Sequence, residues 1–352
     1  MILDAKAFAN ALTMVLPATS QRLGMASACV VLNQDPAGVR LTATNGELWI
    51  STICGAKGNI EPVMVPAKRL AAMVRTMSGE VTLANGKGHR LQVTSGGSKI
   101  ELAGIDPQEC PAAPPEEGEM APTGFDLVAA IRRLDYCAAD FADRPALAGM
   151  LWESTGGSVR LAASDGRRCA LTDQPYEGPI VREMIGREVL DAIRATADGY
   201  ETVNVAFSER FIRIETRVTW LVARLNGFNF PKIEQVLPAH TISARVPRAQ
   251  LAEAVKRVNL VTGDDHKITL ELTGERAIVR AIGANVGEAV DEVALSAAVQ
   301  EPVAISLNGR YLLDALNAME SDEITVRYGR EADPLDMESN GFRHVLMPMR
   351  TN

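Results

Sequence analysis

Two short stretches hold residue types that can do chemistry. Asp264-Asp265-His266 groups two carboxylates with an imidazole, a donor set that suits a metal, and Asp165 beside Arg167 and Arg168 sets a carboxylate among cations, a starting point for acid-base work. Neither survives a look at its surroundings. The first follows Gly263 and has no fourth ligand or spaced partner, so a polar turn accounts for it better. The second lies in Ser164-Asp165-Gly166, where Asp-Gly marks a hairpin turn. The chain has no G-x-x-x-x-G-K-S/T phosphate loop, no G-x-G-x-x-G after a strand and no H-E-x-x-H helix. No convergent set of acid, base and nucleophile is visible. The expectation is a protein that is not an enzyme, with no cofactor and no metal.

What remains is charge, and it is unevenly placed. The 352 residues carry 36 Lys and Arg against 44 Asp and Glu, a net charge of -8, which argues against gripping nucleic acid over the whole surface. Any surface that faces phosphate must be local. Basic residues nevertheless recur in register: Lys256 and Arg257 repeat Arg132 and Arg133, while Lys68, Arg187 and Arg310 share one aligned site. With Leu127, Ile131 and Leu134 turned inward on a helix, Arg133 falls on the opposite face. Solvated helix surface is the ordinary explanation of such charges. Registration across repeats is what calls for another.

The elements that position these residues repeat three times. Apolar residues at helical spacing mark first helices at Phe8, Leu12 and Val15, at Leu127, Ile131 and Leu134, and at Leu251, Val255 and Val258, in steps of about 120 residues. Second helices begin near Leu70, Val189 and Leu312, each about 60 residues after its partner. Strands keep the same period. Val39-Arg40-Leu41 leads to Thr44-Asn45-Gly46, Val159-Arg160-Leu161 leads to Ser164-Asp165-Gly166, and Ile278-Val279-Arg280 reaches Gly283. Linker-like stretches, Cys110 to Pro122 and Pro238 to Ser243, place the cuts at residues 1–118, 119–241 and 242–352. The fold class expected is α+β, with helices packed on antiparallel sheets. The five cysteines form no C-x-x-C pair, and no apolar run or basic leader points to membrane insertion or secretion, so reduced cytoplasm is the expected location.

Several motifs carry a family resemblance. His344-Val345-Leu346-Met347-Pro348-Met349-Arg350 resembles the tail of the bacterial DNA polymerase III beta subunits, the sliding-clamp family, and Leu307 to Leu316 resembles their Asn-x-x-Tyr-Leu-x-Asp-x-Leu helix. Gly227-Phe228-Asn229-Phe230-Pro231 with Val236-Leu237-Pro238 is similar to the family's link from middle to last domain. Asp143-Arg144-Pro145, Leu147 and Gly149 are similar to its middle-domain entry, and Ser164 to Arg168 to its Thr-Asp-Gly-His-Arg turn. Departures are Arg22 to Ala28, where the family has Pro-Thr-x-Pro-Ile-Leu, Arg167 for His, Cys169 for Leu, and the extra Thr351-Asn352.

The resemblance implies three domains forming half of a ring, closed by a homodimer around duplex DNA without reading its sequence. It implies that Arg22, Lys68, Arg132, Arg133, Arg187, Lys256, Arg257 and Arg310 face the DNA. It implies a pocket for clamp-binding peptides of the replicative DNA polymerase, a clamp-loader ATPase and other proteins, built from Leu147, Ser164, Gly166, Arg168, Cys169, Pro231, Val236, Pro334, Val345, Leu346, Met347, Pro348, Met349 and Arg350. Ile100, Leu102 and Leu260 fall where subunits meet. A repeat scaffold that binds proteins but not DNA is the alternative, and it has no need of registered basic residues.

Overall fold

The computed structural model describes residues 1–284 and 286–350; Asn285, Thr351 and Asn352 lie outside the described residues. Six helices are present among them: α1 Ala5–Val15, α2 Ala67–Val74, α3 Leu127–Leu134, α4 Arg187–Ala197, α5 Arg248–Val258 and α6 Gly309–Ala318. They fall where the apolar periodicity puts them, two per repeat. Local chemistry starts several. The Asp4 carboxylate accepts the Ala7 N–H at 2.8 Å to cap α1, and the Asn308 side chain accepts from Arg310 and Tyr311 to cap α6. Phe8, Leu12 and Val15 of α1 are fully buried, as are Leu312, Ala315 and Leu316 of α6.

The chain folds as two compact units. The first comprises residues 1–128, 176–181 and 185–227, the second 129–175, 182–184 and 228–352, so the middle repeat contributes to both. All strand pairing given for the two units is antiparallel. Within the first unit the strand Leu48–Gly55 pairs with Thr219–Arg224 to make an eight-stranded sheet, with Thr52 opposite Thr219 and their hydroxyls 2.7 Å apart. Within the second, Arg168–Tyr176 pairs with Phe342–Leu346 in the same way, with Cys169 opposite Val345. Each eight-stranded sheet therefore joins two four-stranded halves at the outermost strand of each half.

Two halves are left unjoined. In the first unit a four-stranded sheet ends on Ser98–Leu102, and in the second another ends on Gly287–Ala294; each of these outer strands has one neighbour. They occupy the repeat positions that are paired at the two internal junctions. Unpaired edges present rows of N–H and C=O groups that invite another strand.

Candidate functional site

The best-formed recognition surface lies in the second unit. Along Gly149–Thr155, Gly157–Ser164 and Arg168–Tyr176, side chains alternate between the two sheet faces. One face carries Leu151, Ala162, Cys169 and Leu171, joined by Met184 and Val345 and covered in part by Phe230, Ile233, Leu147 and Leu237. Sequence reasoning named Leu147, Cys169 and Val345 of this cluster and missed the others, since Phe230 and Met184 reach it only through tertiary packing. Burial pushes the Cys169 thiol up to about 12, so it serves as a small apolar residue here. The same cause raises the buried Cys29 to about 11.

Two walls complete the groove. Residues 230–238 form one, pinned at both ends by arginines: Arg182 donates to the Phe230 and Pro231 carbonyls at 2.8 and 3.2 Å, and Arg343 donates to the Pro238 carbonyl at 3.0 Å. Arg343 is itself fixed by the fully buried carboxylate of Asp336 at 2.8 Å. This wall leaves Pro231 and Val236 exposed, the latter at 48%. The chain end forms the other. Met347 N–H donates to the Arg167 carbonyl at 2.9 Å and Met349 N–H to the Ser306 carbonyl at 2.8 Å, which holds Met347 43% exposed; Pro348 and Met349 are half-buried, and Arg350 is exposed. At the corner, Ser164 Oγ accepts the Gly166 N–H at 3.0 Å and Asp165 accepts from Arg167 and Arg168. Gly166 has φ +81°, and a Cβ there would strike the Arg144 guanidinium, which donates to the Asp165 carbonyl at 3.1 Å.

Some residues expected at the groove are not brought to it. Arg168 and Leu346 face each other across the strand pair on the opposite sheet face from Cys169 and Val345. Leu346 is fully buried. Arg168 is a strut: its guanidinium donates to Asp165 at 3.0 Å, Asp314 at 2.7 Å and the Tyr136 carbonyl at 2.6 Å, with Tyr311 stacked at 4.0 Å. Beside it His344 is fully buried, stacked on Tyr136 at 6.0 Å with Nε2 3.6 Å from Cys137 Sγ, and burial drives its pKa down to about 3. Pro334 offers its carbonyl to His240 Nε2 at 2.7 Å and is not in the apolar cluster.

The registered cations are likewise divided. Arg22, Lys68, Arg132, Arg187, Lys256 and Arg310 are exposed. Arg133 is not on an outer face: its side chain is 20% exposed, donates to the Ala318 carbonyl at the end of α6 at 3.2 Å and lies over the Phe342 ring at 4.7 Å. The helical projection failed because a second helix end covers that side. Arg257 is exposed but pairs with Asp291 at 2.6 Å, a hydrogen bond that raises its pKa and lowers that of the carboxyl. Lys256 has Glu253 at 3.8 Å.

At the unpaired edges, Leu260 is 79% exposed, beside the strands Arg276–Gly283 and Gly287–Ala294, whose Ile282 and Val290 are also exposed. Ile100 is half-exposed on Ser98–Leu102, whereas Leu102 is buried in its own sheet. Ile282 and Val290 were missed from sequence, because alternation alone does not say which face of a strand lacks a cover. Asp264 to His266 form a turn into Lys267–Thr273, with Asp265 accepting the Lys267 N–H at 3.2 Å, and no group of three metal-ligating side chains occurs among the described residues. Among them, too, no helix is long and apolar enough to cross a membrane.

Comparison with known proteins points one way. Residues 234–350 match the family model described as DNA polymerase III beta subunit, C-terminal domain. The beta sliding clamps of Staphylococcus aureus and Staphylococcus epidermidis are 20% and 21% identical over 301 residues, covering 82% of this chain and 80% of theirs. Among solved structures, the Pseudomonas aeruginosa sliding clamp bound to griselimycin superposes with a TM-score of 0.93 at 22% identity, covering 100% of this chain and 99% of that one. The Thermotoga maritima DNA polymerase III beta subunit gives 0.90 at 20% identity with the same coverage. At such identities the solved structures establish the fold.

Proposed function

We propose that this chain, whose residues 234–350 belong to the DNA polymerase III beta-subunit family and whose whole length has the sliding-clamp fold, is a DNA sliding clamp: a processivity factor, not an enzyme, that encircles duplex DNA and tethers a replicative polymerase. The observation that carries this reading is the fold likeness over the full chain, together with relatives named as beta sliding clamps. The division at residues 1–118, 119–241 and 242–352 is part of the proposal.

The assembly follows from the sheets. Two four-stranded halves join at equivalent outer strands inside the chain, and two halves remain with those strands unpaired. The same pairing between Ser98–Leu102 of one copy and Gly287–Ala294 of another, made twice, gives a closed homodimer and buries Leu260, Ile282 and Val290. The exposed helix cations then supply a few phosphate contacts without base readout, and the groove of Leu147, Cys169, Pro231, Val236, Val345 and Met347 takes apolar peptide anchors. Polymerase, clamp-loading ATPase and other clamp-binding proteins are the partners in this reading.

Sedimentation at micromolar concentration tests the assembly. A mass of about twice 37.8 kDa is expected, falling to the monomer in Leu260→Asp, because an unpaired charge buried at the contact is costly. A monomer that persists at high concentration in the unaltered chain sinks the proposal.

A further inference from the structure

The rim of the groove carries an exposed aromatic pair. Phe141, 58% exposed, meets the edge of Phe228, 38% exposed, with ring centroids 5.9 Å apart. Both are tied to the groove at short range. The loop that carries Phe141 closes where the Ala139 N–H donates to the Leu147 carbonyl at 3.0 Å, and Arg144 braces it against the Asp165 carbonyl at the groove corner. Phe228 lies just before Phe230, which is buried in the apolar cluster, and Pro231, which is exposed on the wall. Single exposed apolar residues are ordinary, but two aromatic rings in contact on the edge of a groove resemble the anchors that interfaces use.

The charges beside the pair say what it accepts. Phe141 sits between Asp140 and Asp143, both exposed, and the cation of this loop, Arg144, already donates to Asp165. Asp140 uses one oxygen to accept the Ala142 N–H at 3.1 Å. Two carboxylates repel a phosphate backbone, so nucleic acid is disfavoured here. A guanidinium satisfies every group present: its plane stacks on a ring, and its N–H groups pair with the carboxylates.

We propose that Phe141, Phe228, Asp140 and Asp143 form a second anchor point, which holds an arginine of the same partner peptide whose apolar residues fill the groove. This rests on the groove reading above and adds a specificity to it. Extended chain advances about 3.3 Å per residue, so the path from Phe228 to Pro231 is about 10 Å, and the arginine stands three or four residues from the apolar anchor.

Fluorescence polarisation of labelled hexapeptides against the full chain tests this. The probes are Arg-Ser-Gly-Ser-Leu-Leu and its reverse order, each beside versions with Ala or Glu in place of Arg. In one order the Arg peptide is expected to bind roughly fivefold tighter than the Ala peptide, and the Glu peptide weaker still. That preference disappears in Phe141→Ala and in the double variant Asp140→Asn, Asp143→Asn, while the Ala peptide keeps one affinity throughout, which reports an intact groove. Equal binding of the Arg, Ala and Glu peptides to the unaltered chain overturns the second anchor and leaves the groove standing. No binding of any peptide overturns the groove and the anchor with it. A Phe141→Ala chain that loses duplex DNA affinity and keeps its peptide preference assigns the pair to nucleic acid instead.

Discussion

The helix pairs α1 with α2 and α5 with α6 are equivalent by repeat, and each packs side by side, yet their charges do different things. Neither α1 nor α2 contains an acidic residue, and Lys6, Lys68 and Arg69 stand exposed on them. Arg75, just past α2, reaches Thr13 of α1 at 3.1 Å. In the second pair the cations are engaged: Lys256 by Glu253, Arg257 by Asp291, and Arg248 by the Leu316 and Ser321 carbonyls. Asp314 of α6 is spent on Arg168. The layers beneath differ in the same sense. Under α1 lie Phe8, Leu12 and Leu70, whereas the second unit buries Tyr136, Cys137, His344 and most of Arg168 near α6. Registration in sequence thus marks where a cation stands, not whether it is available. One pair keeps its charge for a partner; the other uses it to hold itself together.

The largest effect that follows is on stability. Arg168→Ala leaves Asp314, Asp165 and the Tyr136 carbonyl without their donor in a nearly buried setting, and a cost of about 3–5 kcal/mol to the second unit is expected. Arg75→Ala in the first unit gives up one hydrogen bond to an exposed threonine and is expected to cost about 0.5 kcal/mol or less. Urea denaturation followed by hydrogen exchange on each unit measures both. Similar costs for the two variants would erase the contrast.

Acid comes next. Burial holds His344 at about 3 against an ordinary 6.5, so the unfolded chain takes up a proton that the folded one refuses. The stability this histidine contributes is complete above pH 6.5 and is lost as pH falls toward 3, at about 1.4 kcal/mol per pH unit. Protection of the strand Phe342–Leu346 should therefore fall between pH 6.5 and 4.5, while that of Leu48–Gly55 in the first unit holds. A parallel fall of both strands speaks against the buried histidine as the cause.

The smallest effect is on DNA. Lys68→Ala and Arg69→Ala are each expected to lower the slope of log affinity against log salt by about 0.9 on duplex DNA. Lys256→Ala and Arg257→Ala are expected to change it by less than half as much, because their cations already face acids. Equal slopes for all four variants would return the two pairs to equivalence.

What the sequence made legible was whatever depends on neighbours along the chain. The turns Thr44 to Leu48 and Ser164 to Arg168 share one chemistry: the hydroxyls accept from Gly46 and Gly166, and the Asn45 and Asp165 side chains each accept two further N–H groups. That pattern, the helix periodicity and the repeat could be read from residue types alone. Contacts between distant segments could not. Nothing near Arg133 announces the carbonyl of Ala318, and nothing near Pro238 announces Arg343 and its buried Asp336. Strand alternation did carry the information that Arg168 and Cys169 face opposite ways, but a motif read as a block hides it.

Encirclement is the central claim, and retention on DNA of defined topology tests it most directly. With a net charge of -8 and few available cations, simple affinity for duplex should be weak and salt-sensitive, so a lasting hold must come from closure of the ring. A chain loaded onto nicked circular DNA by its cognate loading ATPase should remain for many minutes at salt that abolishes simple binding, and should leave promptly by the ends once the circle is cut. Equal lifetimes on circular and linear DNA would contradict the account.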